Sequence, residues 1–161
     1  MKNIFFGSLL IILALNACKN DTGCESSVNL NVDQTQLAED IATIDAYLNS
    51  EGIQAQEHPS GIRYTIQDPG DGDQPNLCNT VFVDYRGTLL SGAQFDASSN
   101  TVSFTLNRLI EGWKIGIPLI REGGNITLYI PSVYAYGSSN SISSIPPNSS
   151  LIFTISLHLV Q

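Results

Sequence analysis

From Ile4 to Leu15 the chain is apolar except at Gly7 and Ser8, and from Lys19 to Val32 it is mostly polar. Only after Asp33 do apolar residues recur with a period. The first run is too short for a membrane-crossing helix of about 20 residues and has the length of a signal-peptide core, with Lys2 as its positive start. The Asn- and Ser-containing stretch behind it has little to bury and is expected to be a tether. Leu37, Ile41, Ile44 and Leu48 fall three or four residues apart, with Tyr47 beside them, which predicts an amphipathic helix over Asp33–Glu51. Asp33 and Gln36 form a capping box at its start, and Gly52 closes it. Such a helix is marginal alone, so it is expected to dock on the following domain or on a partner.

Beyond Ser60-Gly61 the period shortens to two. Ile62–Ile66 and Thr80–Tyr85 alternate, with a Pro/Gly/Asp loop over Asp68–Asn76 between them. Thr101–Leu106, Ile126–Ile130 and Leu151–Val160 complete the strands. In the last of these, Leu151, Phe153, Ile155, Leu157 and Leu159 share one face, while Thr154, Ser156 and His158 share the other, which puts His158 on the surface. Glu111–Ile117 predicts a helix of about two turns, stopped at Pro118. There are no internal repeats. The class is α+β: a small antiparallel sheet wrapped around a short helix, with an N-terminal helical extension. The boundaries are a signal peptide over 1–17, a tether over 18–32, the helical extension over 33–59 and the main domain over 60–161.

The signal segment ends in Leu15-Asn16-Ala17-Cys18, which resembles a bacterial lipobox. The resemblance implies cleavage before Cys18 and acylation there; the alternative is an ordinary secretory signal with a cysteine nearby. Several acyl chains on one residue would make a stable anchor. Cleavage would leave 144 of the 161 residues and, with Lys2 gone, a formal charge of −9 in place of −8. That is enough chain for one domain and a short extension. An acidic chain without basic clusters argues against nucleic acid and against attraction to anionic lipid. Lys19-Asn20-Asp21 resembles the short signals that send some lipoproteins to the cell surface.

With Cys18 set aside, Cys24 and Cys78 form a pair that an oxidising compartment would bridge; two free thiols are the alternative. Neither has metal-ligand spacing, and His58 and His158 are the only histidines, so no metal site is expected. The carboxylates of the Asp68–Asn76 loop lack a glutamate at the twelfth position of a calcium loop, where Asn79 stands. No cofactor is implied.

Five stretches carry the chemistry: Val83-Asp84-Tyr85-Arg86-Gly87, Phe95-Asp96, Leu109-Ile110-Glu111-Gly112-Trp113, Tyr134-Ala135-Tyr136-Gly137 and Ile145-Pro146-Pro147. Together they offer aromatic and aliphatic side chains and three carboxylates, of which one, Asp96, is expected to be buried. That set suits a dry apolar pocket with a few hydroxyl and backbone donors. In order and spacing they resemble the FKBP-type peptidyl-prolyl cis-trans isomerases, over about Ser60 to Gln161. The resemblance implies that Trp113 floors a proline pocket walled by Tyr85, Phe95, Leu109, Ile110 and Phe153. Val102, Phe104 and Ile145 also belong to that pocket. It further implies that the Ile110 N–H and the Tyr136 hydroxyl donate to the substrate and that Asp96 accepts from Tyr85.

This sequence departs from the family at Val102, where many members carry phenylalanine, and at Ser141, often histidine. Only eight residues separate Tyr136 from Ile145, too few for the chaperone insertion of some bacterial relatives. The implied function is isomerisation of X-Pro bonds in exported polypeptides at the bacterial cell envelope, on the periplasmic face or the cell surface. Macrolide-type FKBP inhibitors are candidate ligands. The alternative is a non-catalytic FKBP-like binding module, or holdase, for proline-containing segments.

Overall fold

The computed structural model describes Cys24, residues 27–140 and residues 143–161. The expectations for residues 1–17, Cys18, Lys19-Asn20-Asp21 and Ser141 fall outside the described residues.

Helix α1 spans Gln34–Glu51 and ends at left-handed Gly52, φ 67°. Asp33 caps its start, Oδ1 accepting from the N–H groups of Thr35 (2.9 Å) and Gln36 (3.1 Å). The capping box is only half made, which corrects the sequence reading. The Gln36 amide turns away and donates to Asp40 Oδ1 at 3.0 Å. Leu37, Ile44 and Leu48 are buried as the period requires, each worth about 1.5–3 kcal/mol relative to exposure. Asp40 is buried on the same side, at 3 % exposure.

The sheet holds seven antiparallel strands: β1 (Gln56–Glu57), β2 (Arg63–Asp68), β3 (Thr80–Leu89), β4 (Gln94–Ala97), β5 (Val102–Thr105), β6 (Asn125–Ile130) and β7 (Leu151–Val160). They lie in the order β1-β2-β6-β7-β3-β4, with β5 also pairing β3. Helix α2, Glu111–Gly116, runs on into a 3-10 turn at Ile117–Leu119. Pro118 therefore tightens the helix instead of ending it abruptly. Gly112 and Gly116 set how closely α2 meets the sheet, because a Cβ on either would collide with Ile130 or Leu128 of β6. That close approach brings the neighbouring Trp113 into the core.

Two further expectations need amending. Leu159 is 37 % exposed although Leu151, Phe153, Ile155 and Leu157 are buried. The register slips between the pairs Phe82–Leu159 and Val83–Leu157, so the alternation changes phase at that bulge. The described part of residues 18–32 also buries more than a tether would. Val28 and Val32 pack on the core, the Asn29 N–H donates to Glu111 Oε2 at 2.9 Å, and a disulfide joins Cys24 to Cys78 with 5.7 Å between Cα atoms.

Two carboxylates of α1 fasten the helix. Asp45 receives the Arg63 guanidinium at 2.8 and 3.0 Å, while Arg63 also donates to the Gly61 carbonyl at 3.1 Å. Asp40 accepts from the Ser132 hydroxyl at 2.7 Å. Among the described residues no helix is long and apolar enough to cross a membrane.

Candidate active site

The site grows from the second half of β3, where Gly87 faces Asp96 of β4 on one side and Phe153 of β7 on the other. A Cβ at Gly87 would stand 2.6 Å from the Phe95 ring and 2.9 Å from that of Phe153. Its absence lets the two rings close over the strand, meeting edge to face at 5.5 Å and 84°. Two residues earlier, Tyr85 reaches across the hairpin and donates to Asp96 Oδ2 at 2.7 Å.

Trp113, 4 % exposed, lies among three rings, all edge-on: Tyr85 at 5.3 Å, Phe104 at 6.0 Å and Phe153 at 5.2 Å. Such pairs add about 0.5–1.5 kcal/mol each beyond their buried area. They border a cavity of about 180 Å³ lined by Tyr85, Asp96, Phe104, Leu109, Ile110, Trp113, Tyr136 and Phe153.

Three hydrogen-bond donors on lining residues have no internal acceptor among the described residues: the Trp113 indole N–H, the Ile110 backbone N–H and the Tyr136 hydroxyl. Ile110 precedes α2, and its carbonyl already accepts from Trp113 (3.0 Å) and Lys114 (3.2 Å). Tyr136 sits just past the 3-10 turn Ser132–Tyr134. The N–H groups on either side of it, from Ala135 and Gly137, both donate to the Ser132 carbonyl at 2.9 Å.

Burial, together with the hydrogen bond to Asp96, pushes the Tyr85 phenol up to about 12. Burial, with the charge of Asp96 second, also raises that of Tyr136. Both therefore remain neutral donors across the physiological range. Asp96 itself is exposed, which corrects the expectation that it is buried. It stands at the cavity's rim because the four-residue strand that carries it is the sheet's outer edge.

Not every residue expected at the pocket lines the cavity. Phe95 backs Phe153, Val102 packs partly buried against the core, and Ile145 is within the core at 4 % exposure. His158 is exposed and pairs with Asp84 at 2.8 Å. Sequence reasoning missed Asp40 and Ser132, which join α1 to the segment bearing Tyr136. A charged residue interrupting the apolar face of α1 was the only signal. Among the described residues no three His, Cys, Asp or Glu side chains gather to hold a metal ion.

A family model described as FKBP-type peptidyl-prolyl cis-trans isomerase matches residues 72–158. The chain is 41 % identical over 101 residues to the FKBP-type peptidyl-prolyl cis-trans isomerase FkpA of Escherichia coli K12, covering 61 % of this chain and 37 % of that protein. With the outer membrane protein MIP of Legionella longbeachae it shares 36 % over 106 residues, 64 % of this chain and 45 % of the relative. The chain thus spans less than half the length of these curated relatives. Among solved structures, the crystal structure of Escherichia coli FkpA is similar with a TM-score of 0.67 and 34 % identity, covering 80 % of this chain and 64 % of that one. A peptidyl-prolyl cis-trans isomerase from Pseudomonas syringae pv. tomato gives 0.68 and 30 %, covering 77 % and 95 %.

Proposed function

The chain belongs to the FKBP-type peptidyl-prolyl cis-trans isomerases, and on that footing we propose that it turns X-Pro bonds of exported polypeptides at a bacterial cell envelope, anchored through lipid on Cys18. The observation that carries the reading is the aromatic cavity with unused donors on its lining; apart from rim-placed Asp96, the ionisable groups that form it are two tyrosines whose phenols stay neutral in the physiological range.

The barrier to rotation, about 18–20 kcal/mol, comes from the double-bond character of the planar amide. Water favours that planar, charge-separated form. A proline ring placed against Trp113 leaves water behind, so the twisted amide loses less on entering than the planar one. The Ile110 N–H is suited to hold the carbonyl of the bound segment, and the Tyr136 hydroxyl to donate as the bond turns. Asp96 keeps the Tyr85 hydroxyl oriented and faces the carbonyl carbon from the rim. No covalent intermediate and no proton transfer is needed. A bulky apolar residue before proline suits the walls of Phe104, Leu109 and Ile110. Macrolide-type FKBP inhibitors would compete for the same cavity.

The envelope assignment rests on the sequence alone, through the lipobox and its apolar leader. The Cys24–Cys78 bridge is compatible with it, since disulfides persist in oxidising compartments. Fatty-acid labelling that disappears in Cys18→Ala, together with membrane association, is the expected result. A soluble mature protein starting elsewhere would remove the anchor. The alternative, a non-catalytic binding module, is favoured by one observation, the exposure of Asp96 to solvent, which weakens its action on a carbonyl.

A proline-peptide isomerisation assay on the purified chain separates the two readings. We expect turnover, with Tyr136→Phe slower by about fivefold, the equivalent of one hydrogen bond of about 1 kcal/mol. Phe95→Ala should cost more, because Phe153 loses its backing and the cavity admits water. Binding of proline peptides without catalysis would establish the binding module instead.

A further inference from the structure

We propose that Asp40 of helix α1 is a positioning residue for Tyr136, so that the N-terminal extension helps set the geometry of the proline site. Its effect on turnover rests on the isomerase reading above; its effect on the order of the segment does not.

Helix α1 carries a carboxylate where an apolar residue is expected. Asp40 occupies the apolar face of α1 at 3 % exposure, and a buried charge is costly unless it is well bonded. Its partners are all neutral donors: the Gln36 amide at 3.0 Å, the Ser132 hydroxyl at 2.7 Å and the Val133 N–H at 3.4 Å. The short bond to Ser132 has the length expected of a hydroxyl donating to a carboxylate. Ser132 is fully buried. Its carbonyl receives the N–H groups of Ala135 and Gly137, the residues flanking Tyr136. The Gly137 carbonyl in turn accepts from the Asn148 N–H at 2.7 Å, joining the two ends of the loop. A chain of three bonded groups therefore leads from α1 to the backbone on both sides of the tyrosine.

Docking of α1 does not require this arrangement. The helix already has three buried aliphatic residues and the paired bonds between Asp45 and Arg63. An apolar residue at position 40 would serve for packing. A carboxylate there adds direction: it fixes the rotation of the Ser132 side chain, and with it the carbonyl that holds Ala135 and Gly137.

The test compares Asp40→Ala with Asp45→Ala in the full chain, using kcat/KM for a proline peptide and amide hydrogen exchange at Ala135 and Gly137. Asp45→Ala loosens α1 by removing the bonds to Arg63 while leaving the bond to Ser132 in place. Asp40→Ala is expected to lower kcat/KM by about fivefold, no more than Tyr136→Phe, since it acts only through that residue's hydrogen bond. Adding Asp40→Ala to Tyr136→Phe should cost nothing further. Exchange at both amides should accelerate in Asp40→Ala and stay unchanged in Asp45→Ala, and Asp40→Asn should recover part of the loss.

Equal losses in the Asp40 and Asp45 variants, additive losses with Tyr136→Phe, or unchanged exchange in Asp40→Ala would overturn the proposal. If Asp40→Ala does not fold, Ser132→Ala removes the same bond from the other side and is read in the same way. Should the unmodified chain lack turnover, the isomerase reading fails, and the exchange comparison alone decides this inference.

Discussion

Around the cavity, cohesion comes from rings meeting edge to face; along the seam beneath helix α1, carboxylates meeting donors add direction to three buried aliphatic residues. Trp113, Phe153 and Phe104 need no hydrogen bond from each other, so the donors on Trp113, Ile110 and Tyr136 are left for a guest. Asp40 and Asp45 are in the opposite position, since nearly everything they offer is already used by Ser132, Gln36 and Arg63. Aromatic packing tolerates small movements because its energy varies smoothly with position. A buried carboxylate such as Asp40 does not, because a lost partner leaves a desolvated group uncompensated. The cavity proposed to accept a substrate is built from the forgiving interaction, and the seam that holds α1 uses the exacting one.

Removing one ring should have the largest effect. Phe153→Ala takes away a residue that touches Trp113, Tyr85 and Phe95, and should cost about 3–5 kcal/mol in urea unfolding while abolishing isomerisation. A loss below about 1 kcal/mol would mean that the rings do not cohere as described.

The second experiment asks whether the N-terminal side can be weakened without touching the cavity. Cys78→Ser opens a link across 54 residues and should lower stability by up to about 4 kcal/mol in the chain-entropy model. At temperatures where the variant stays folded, turnover should be nearly unchanged. A parallel fall in turnover would show that arm and cavity cannot be treated separately.

Titration sharpens the contrast further. The unfolded chain releases the Tyr85 proton near its ordinary value of 10.0, whereas the folded chain keeps it to about 12. The stability tied to that phenol is intact below about pH 10 and is lost as pH rises through about 12. Isomerisation should therefore be nearly flat from about pH 6 to 8, below the range where tyrosine ionises. A steep dependence in that range would point to acid–base catalysis. The smallest effect belongs to His158→Ala. Its pairing with Asp84 is between half-exposed side chains, and the thermal unfolding midpoint should stay essentially unchanged.

Most of the cavity was legible in the sequence because its residues sit in short stretches whose order and spacing are distinctive. Strand alternation was legible over Leu151–Leu157 and failed at Leu159, since a bulge depends on the partner strand and leaves no mark in a single segment. Strands β1 and β4 went unseen for a similar reason: two and four residues are too short to display a period. The exposure of Asp96 follows from its place at a sheet edge, which only topology reveals. Least legible were Asp40 and Arg63. A charged residue is expected outside, and their partners lie 92 and 18 residues away in the chain.

The position of β7 has a consequence for the order in which the molecule can form. This strand lies between β6 and β3, at the centre of the sheet, yet it is the latest of the seven to be synthesised. Until it arrives, β6 and β3 expose facing edges with no strand between them, and Phe153 is absent from the cavity. On the export proposed above, the chain would emerge with helix α1 first and its aromatic cavity completed last. Assembly must then wait for pairings distant in sequence, which form slowly. During that interval two unpaired edges are open to other strands, so the protein would itself be a client for whatever shields nascent chains in its compartment.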